Sequence, residues 1–482
     1  MIKVLLIAIC LITSISLISF TPHFSKSYED TNKLEHINKD LVLVEEEETT
    51  NISHILFGIG GSAKTWKNRS RYSGLWWRPN VTRGFVWLDE KPDENEPWPE
   101  ISPPYRVSQD TSEFKYTCWF GERSAVRITR IVKESFELGL TNVRWFVMGD
   151  DDTVFFTENL VAVLDKYDHN QMYYIGRNSD SVEVEVASSY NMAAGGGGIA
   201  ISYPLATELV KILDDCINRY HYVFSYDQKI ANCIAEIGVS LTKEFGFNQM
   251  NIQGSPRGLL AAHPVAPLVS LHHLDVYVVQ PLFPSMGQFD SVKKLIEPYK
   301  NDPSRTMQHT LCYDLNRNWS LSVSWGYSVQ LYPWLMNARE LGLPMQTFRT
   351  MTGSEEPFTF DTRPNYEDPC KSPIEFYLDQ VVGLQNGETF TSYSTLIGHD
   401  DSNNQCENQK YKSALAIHMV NVTAPILSPQ VWRQAPRRQC CEVINGIGSE
   451  LNMRIRSCNQ WESVTAPFYD KYGDFAYFQR VV

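Results

Sequence analysis

The sequence predicts an α/β fold between residues 54 and 290 and a β-rich extension from 291 to 482, on three observations. From His54 to about Gly176 short apolar runs alternate with amphipathic stretches, the pattern of a mainly parallel sheet covered by helices. One of those runs ends in three adjacent aspartates, Asp150, Asp151 and Asp152, at the sheet edge where open α/β folds hold ligands. Beyond about residue 290 period-two alternation replaces helical spacing, and six cysteines collect there: Cys312, Cys370, Cys406, Cys440, Cys441 and Cys458.

Taken in order, residues 4–20 form an uncharged run rich in Leu and Ile. At 1.5 Å per residue this is about the shortest helix that spans a hydrocarbon core. A cleaved signal, the alternative, would carry a shorter apolar stretch and a small-x-small site, for which Ser16 and Ser19 are small enough. The expectation is a signal anchor, with residues 1–3 cytosolic and 21–53 a polar luminal stem carrying Glu45 to Glu48. Residues 54–58, 84–88 and 144–148 read as buried strands. Residues 124–138 read as a helix with Ala125, Ile128, Ile131, Val132 and Phe136 on one face. Residues 160–167 read as helical and 172–175 as extended; in the extension, 321–325 alternate with period two and 414–422 are strand-like.

Composition sets the outer bounds. With 43% hydrophobic and 21% charged residues the chain can pack a large core, which excludes disorder and a small disulfide-held scaffold. A net charge of −13 excludes a dedicated nucleic-acid binder. None of the ten cysteines forms a C-x-x-C pair, so luminal disulfides are expected rather than zinc. Cys10 lies in the apolar run and nine follow it, so at least one of the nine is left over. Asn51, Asn68, Asn80, Asn318 and Asn421 stand in Asn-x-Ser/Thr sequons.

The chemistry concentrates in a few segments. Three carboxylates side by side at a strand end repel one another unless a cation sits among them, and a hard divalent ion such as Mg²⁺ or Mn²⁺ would leave positions for phosphate. Asp150, Asp151 and Asp152 therefore suit a metal–diphosphate site; the competing reading is an acidic turn. Asp214-Asp215 and Asp400-Asp401, in a helical stretch and a polar loop, read as solvated. Gly195 to Gly198, with Gly196 and Gly197 at the centre, read equally as a tight turn before a strand or as a loop that lets backbone approach a ligand. Gly58-Ile-Gly60-Gly61-Ser-Ala63 matches the dinucleotide pattern G-x-G-x-x-A, which gives the alternative of a luminal NAD(P)-type oxidoreductase. The next strand's acid, Asp89, lies farther on than the roughly 20 residues that pattern requires. Lys64, Lys67, Arg69 and Arg71 follow and suit a diphosphate in either scheme. His272 and His273 end an extended segment; on a strand they would point to opposite faces, so only one could join the metal site. Asp227 begins a helix, either as its N-cap or as a base presented at the helix start.

Together HILFGIGGSAKTWKNR, LWWRP, GFVWLDE, RWFVMGDDDTVFF, KYDHNQMYYIG, GGGGIAIS, SYDQKIANCIAEIGV and SLHHLDVY resemble, in that order, the plant branch of Fringe-like β-1,3-glycosyltransferases. That branch belongs to glycosyltransferase family 31 and is labelled domain of unknown function 604. The resemblance covers about residues 54 to 290, and Arg437 to Cys441 resemble the branch's C-terminal extension. It implies a type II Golgi membrane enzyme with a GT-A, Rossmann-like fold that uses a UDP-sugar and Mn²⁺ and inverts the anomeric centre. The acceptor would be a glycan or glycoprotein hydroxyl. By the same resemblance Asp152 is the direct metal ligand, with Asp150 and Asp151 in the metal motif, His272 the metal-binding histidine and Asp227 the catalytic base. Gly58, Lys64, Arg71, Gly196 and Gly197 are expected around the donor. Ala194 stands where the branch carries an aromatic residue, a departure that bears on acceptor fit. A third reading is a glycan-binding protein with a vestigial transferase site.

Overall fold

A computed structural model describes residues 49–465 apart from 94, 96, 188–190, 275, 277, 356–357 and 396–405. The expected tail, anchor and most of the stem lie outside the described residues, as do Asp400 and Asp401. Among the described residues no helix is long and apolar enough to cross a membrane.

Strands β1 (Ile55–Gly60), β2 (Arg83–Leu88), β3 (Tyr105–Val107) and β4 (Trp145–Asp150) pair in parallel in the order β3-β2-β1-β4. After the short β5 (Val154–Phe155), the strands β6 (Tyr174–Gly176), β7 (Ile199–Ser202) and β8 (Leu241–Lys243) extend this sheet in the order β4-β7-β6-β8. Only β7 runs against its neighbours, so the sheet is mixed, with a parallel half.

The central strands β1 and β4 are apolar almost throughout because both their faces are covered. Ile55, Phe57, Ile59, Trp145 and Val147 point into one core, while Leu56, Phe146 and Met148 point into the other. The second core is closed by the helices Ser124–Glu137, Tyr203–Arg219 and Tyr226–Ile237. Gly58 falls on that second face, where a Cβ would stand 2.8 Å from Ile131 Cγ2.

Beyond β8, β9 (Phe247–Asn248) and β10 (Ile252–Gly254) precede β11 (Ser270–Leu271), and β5-β11-β9 form a small second sheet. The extension is built on an eight-stranded sheet. Its strands are β12 (His309–Asp314), β13 (Trp319–Ser324), β14 (Ser328–Tyr332), β16 (Ile374–Gly383), β17 (Glu388–Ser394), β18 (Met419–Pro425), β19 (Cys440–Ile447) and β20 (Glu450–Arg456), while β15 (Phe348–Thr350) pairs with β10. The larger apolar core runs continuously from Ile55 to Ile455. The segment expected to be extended from 414 begins instead as the end of the helix Gln409–Leu415, started by the Asn408 side chain accepting from Lys410 N, and becomes a strand only at Met419.

Four disulfides close within the described residues: Cys216–Cys233, Cys312–Cys441, Cys370–Cys406 and Cys440–Cys458. Cys118 is the cysteine left over, and it is buried. Asn80 and Asn318 are exposed in turns, whereas Asn421 is 8% exposed in β18 and its amide donates to Glu450 and Asn452. Of these three sequon asparagines Asn421 is therefore the least accessible in the fold.

Candidate functional site

The parallel strand β4 ends at Asp150, level with Gly60 of β1, and the chain turns there rather than continuing. Thr153 makes the turn. Its hydroxyl accepts from Asp150 N at 2.9 Å and donates to Gly196 O at 2.8 Å, which ties the acidic triplet to the glycine segment. Gly195–Gly197 form one turn of 3-10 helix before β7. Ser270 donates to Gly197 O, and Gly197 N donates to the Gln249 amide. The glycines are required by crowding: a Cβ on Gly196 would lie 2.1 Å from His272 Cε1, and one on Gly195 would lie 2.4 Å from the Tyr226 hydroxyl. Gly196→Ala is therefore expected to displace His272 and to abolish activity together with a loss of stability of roughly 2–3 kcal/mol, the scale of overpacking a tight site. Thermal melting of the variant beside the wild type measures the second effect.

The strand β11 stops at Leu271, one residue before the histidines. The expected opposition of His272 and His273 consequently does not occur. His273 adopts φ +62°, which folds its ring back over His272 with centroids 3.9 Å apart. His272 is the one that reaches the acids, with Nε2 3.0 Å from Asp152 Oδ1 and 3.4 Å from Asp150 Oδ2. His273 instead meets Asn251 Oδ1 at 3.2 Å. One donor atom each from Asp150, Asp152 and His272 falls within 4.8 Å of the others.

The electrostatics of the triplet differ residue by residue. Burial pushes Asp150 up to about 6, opposed by His272 and reinforced by Asp152. Its Oδ1 accepts a 2.9 Å hydrogen bond from Tyr226, whose hydroxyl is held protonated by burial and by that same carboxylate. Burial also raises Asp151, against the pull of Arg69, which bonds it at 2.8 Å, and of the Thr65 hydroxyl at 3.4 Å. For Asp152 burial is outweighed by His272 and Arg69, which hold it well below the usual carboxylate range. Burial likewise pulls His272 down, but Asp152 and Asp150 lift it above its ordinary value. Even so, neither Asp152 oxygen accepts a well-aligned hydrogen bond, and His272 Nδ1 has no partner. Buried carboxylates are nearly always better satisfied than this. Two carboxylates and an imidazole with donor atoms within 4.8 Å of one another, and both Asp152 oxygens unsatisfied, are a donor set that suits a divalent ion.

Asp227 lies beside this cluster. The N-cap of the helix Tyr226–Ile237 is Ser225, whose side chain accepts from Gln228 N, so the capping role considered for Asp227 belongs to its neighbour. Asp227 sits in the first turn, with Oδ2 accepting from Gly195 N at 3.0 Å. Its Oδ1 accepts from Gln228 N at 2.8 Å and from the Ser225 hydroxyl. The glycine turn thus connects Asp227 on one side with Asp150 to Asp152 and His272 on the other.

Other expected donor-site residues are placed elsewhere. Gly58 is enclosed in mid-strand, where its lack of a side chain admits the helix Ser124–Glu137. Within the helix Ala63–Ser73, Thr65 and Arg69 are four apart and share the face turned to Asp151. Arg71 is rotated away, its guanidinium stacked 5.0 Å over Phe289, and Lys64 is exposed. Arg69 was legible only as one of four nearby cations; helical spacing from Thr65 is the signal that singles it out. Tyr226 and Thr153 carried no sequence signal, because their roles depend on contacts across 76 and 43 positions. The start of the same helix also counts against a dinucleotide. Asp89 Oδ1 accepts from Ala63 N at 2.8 Å and its Oδ2 from the Ser62 hydroxyl at 2.9 Å, so a carboxylate fills the place a phosphate would take. Asp214, read as solvated, is half-buried and bonded to Arg130 and Lys133 at 2.9 and 2.6 Å. A second grouping, Cys440, Cys458 and Glu462, offers no thiolate, because the two cysteines are joined.

No curated protein matches the sequence. Among solved structures, a glycosyltransferase involved in the glycosylation of the major capsid of PBCV-1 aligns at 14% identity and TM-score 0.26, over 39% of this chain and 82% of that one. The glycosyltransferase GlyE of Streptococcus pneumoniae TIGR4 aligns at 14% and 0.26, over 42% and 48%, and mouse xyloside xylosyltransferase 1 at 12% and 0.25, over 41% and 86%. Residues 184–441, a stretch that includes Gly196, Asp227 and His272, match the family described as "Protein of unknown function, DUF604". That match takes in more than half of the chain, and the protein belongs to this family.

Proposed function

We propose that the protein is a divalent-metal-dependent glycosyltransferase of GT-A organisation, moving a sugar from a UDP-sugar to a hydroxyl of a glycan or glycoprotein, with inversion and in a β-1,3 linkage. The observation that carries this reading is the buried, under-bonded carboxylate of Asp152 beside Asp150 and His272, at the carboxyl edge of a parallel strand. Asp150, Asp152 and His272 would hold the ion, Mn²⁺ in this reading. Held there, such an ion would supply positive charge against the negative charge of a departing diphosphate. The chain's own groups supply the rest. Tyr226 fixes the Asp150 carboxylate by its hydrogen bond. Arg69, reaching Asp151 from the helix Ala63–Ser73, adds positive charge at the edge of the same cluster. Asp227, oriented by Gly195 N, Gln228 N and Ser225, takes the proton of the attacking hydroxyl.

In the same reading residues 4–20 anchor the chain in the Golgi membrane with the catalytic part in the lumen, and the four disulfides fit that oxidising compartment. The test is release of UDP from a panel of UDP-sugars by the purified chain. Release is expected with Mn²⁺ and none in EDTA. Full turnover in EDTA would overturn the metal assignment. Binding of UDP without turnover of any donor would favour the vestigial, glycan-binding reading.

A further inference from the structure

Large aromatic side chains stand uncovered where the loop before the helix Ser124–Glu137 meets the segment that leads into Asp227. Trp119 is 90% exposed, Phe120 61% and Tyr222 59%, with Phe224 also exposed. Phe120 stacks on Phe224 with ring centres 5.5 Å apart at 17°, and Trp119 meets Phe120 edge-on at 5.3 Å. Leaving side chains of this size in water forgoes the stabilisation their burial would contribute.

The loop that presents them is braced on both sides. Arg123 donates to the carbonyls of Thr111, Ser112 and Phe114 at 2.6, 3.0 and 2.8 Å. Lys115 N bonds Asn218 Oδ1 at 2.9 Å, Thr117 N bonds His221 O at 3.0 Å, and the Tyr116 hydroxyl bonds Phe224 O at 3.2 Å. A Cβ on Gly121 would lie 2.9 Å from the Phe224 ring, so the loop is fitted to the segment that leads into Asp227. Aromatic rings held outward on a pre-organised backbone mark a binding surface.

We infer that Trp119, Phe120 and Phe224 form the shelf on which the acceptor's pyranose ring lies, resting on the glycosyl-transfer reading above. Phe224 precedes Asp227 by three residues, a reach of at most about 11 Å along the chain. A pyranose has an apolar C–H face that matches the rings and a rim of hydroxyls. Exposed Tyr222 and the Thr117–His221 pair, joined at 2.7 Å, offer polar atoms to that rim.

The test uses the full-length chain and a microarray of neutral pyranose oligosaccharides. The wild type is expected to capture at least one of them. Trp119→Ala and Phe120→Ala should each lose capture by about tenfold or more, as for a central aromatic contact. Both should stay folded, Phe120→Ala giving up only its stack on Phe224, and both should keep the wild-type rate of UDP-sugar hydrolysis to water, because neither touches the acidic cluster. No capture by the wild type, capture by both variants at wild-type level, or conversion of a wild-type dimer to monomer by the variants overturns the shelf. Failure of the transfer reading shows separately, as no UDP release from any donor while glycan capture persists.

Discussion

Asp152→Asn is expected to eliminate Mn²⁺-dependent UDP release and, before any donor is identified, the protein's thermal response to the metal itself. The substitution keeps the side chain's volume but replaces an anionic ligand by a neutral amide beside His272. A ligand present at a hundred times its Kd stabilises a folded protein by about 2.7 kcal/mol, which a melting curve resolves easily. Losing one of two carboxylates from the donor set should weaken the metal by more than about 100-fold, beyond what removal of an outer partner costs. The wild type should therefore melt at a higher temperature in Mn²⁺, and Asp152→Asn should melt at the same temperature with and without it. A wild-type-sized shift in the variant would remove Asp152 from the ligand set. His273→Ala serves as the control: its ring meets Asn251, and its metal response should persist.

Asp227→Asn should fold, bind UDP with Mn²⁺ as the wild type does, and lose about 10²- to 10⁴-fold in transfer, the usual contribution of a positioned base. The structure sharpens this forecast, because the cap of the helix belongs to Ser225 and survives the change. The amide must give up at least one of the hydrogen bonds from Gly195 N, Gln228 N and Ser225, so a stability loss of about 1 kcal/mol is expected. Initial rates with a fixed donor and acceptor, beside a melting curve, separate the two effects. Unchanged transfer would assign the base elsewhere and leave Asp227 as a support for the glycine turn.

The mixed α/β character and the order of the first elements were legible because sheet strands covered on both faces read as unbroken apolar runs. The strand that runs into Asp150 is visible in residues 144–148 from the sequence alone. So is the oddity of three acids between apolar runs, which is a local electrostatic fact. The reversal of β7 was not legible, since a four-residue strand carries no mark of its direction. The same limit applies wherever a role depends on contact between distant segments. Gly58 satisfied a dinucleotide pattern, yet its use is to admit Ile131 from a helix some 70 positions on, and Asp89 occupies the helix start that a phosphate would need. His272 and His273 could not be ranked by alternation, because alternation holds only on a strand and β11 stops at Leu271. Arg69 prevailed over Lys64 and Arg71 by helical phase, which was computable, together with the direction in which that helix packs, which was not. By itself the sequence determined which chemistry the chain can offer: paired carboxylates, an imidazole and crowded glycines. Tertiary structure decided which of those groups meet, because sequence patterns record local geometry while a site is assembled from backbone segments that only the packed core brings within a few ångströms.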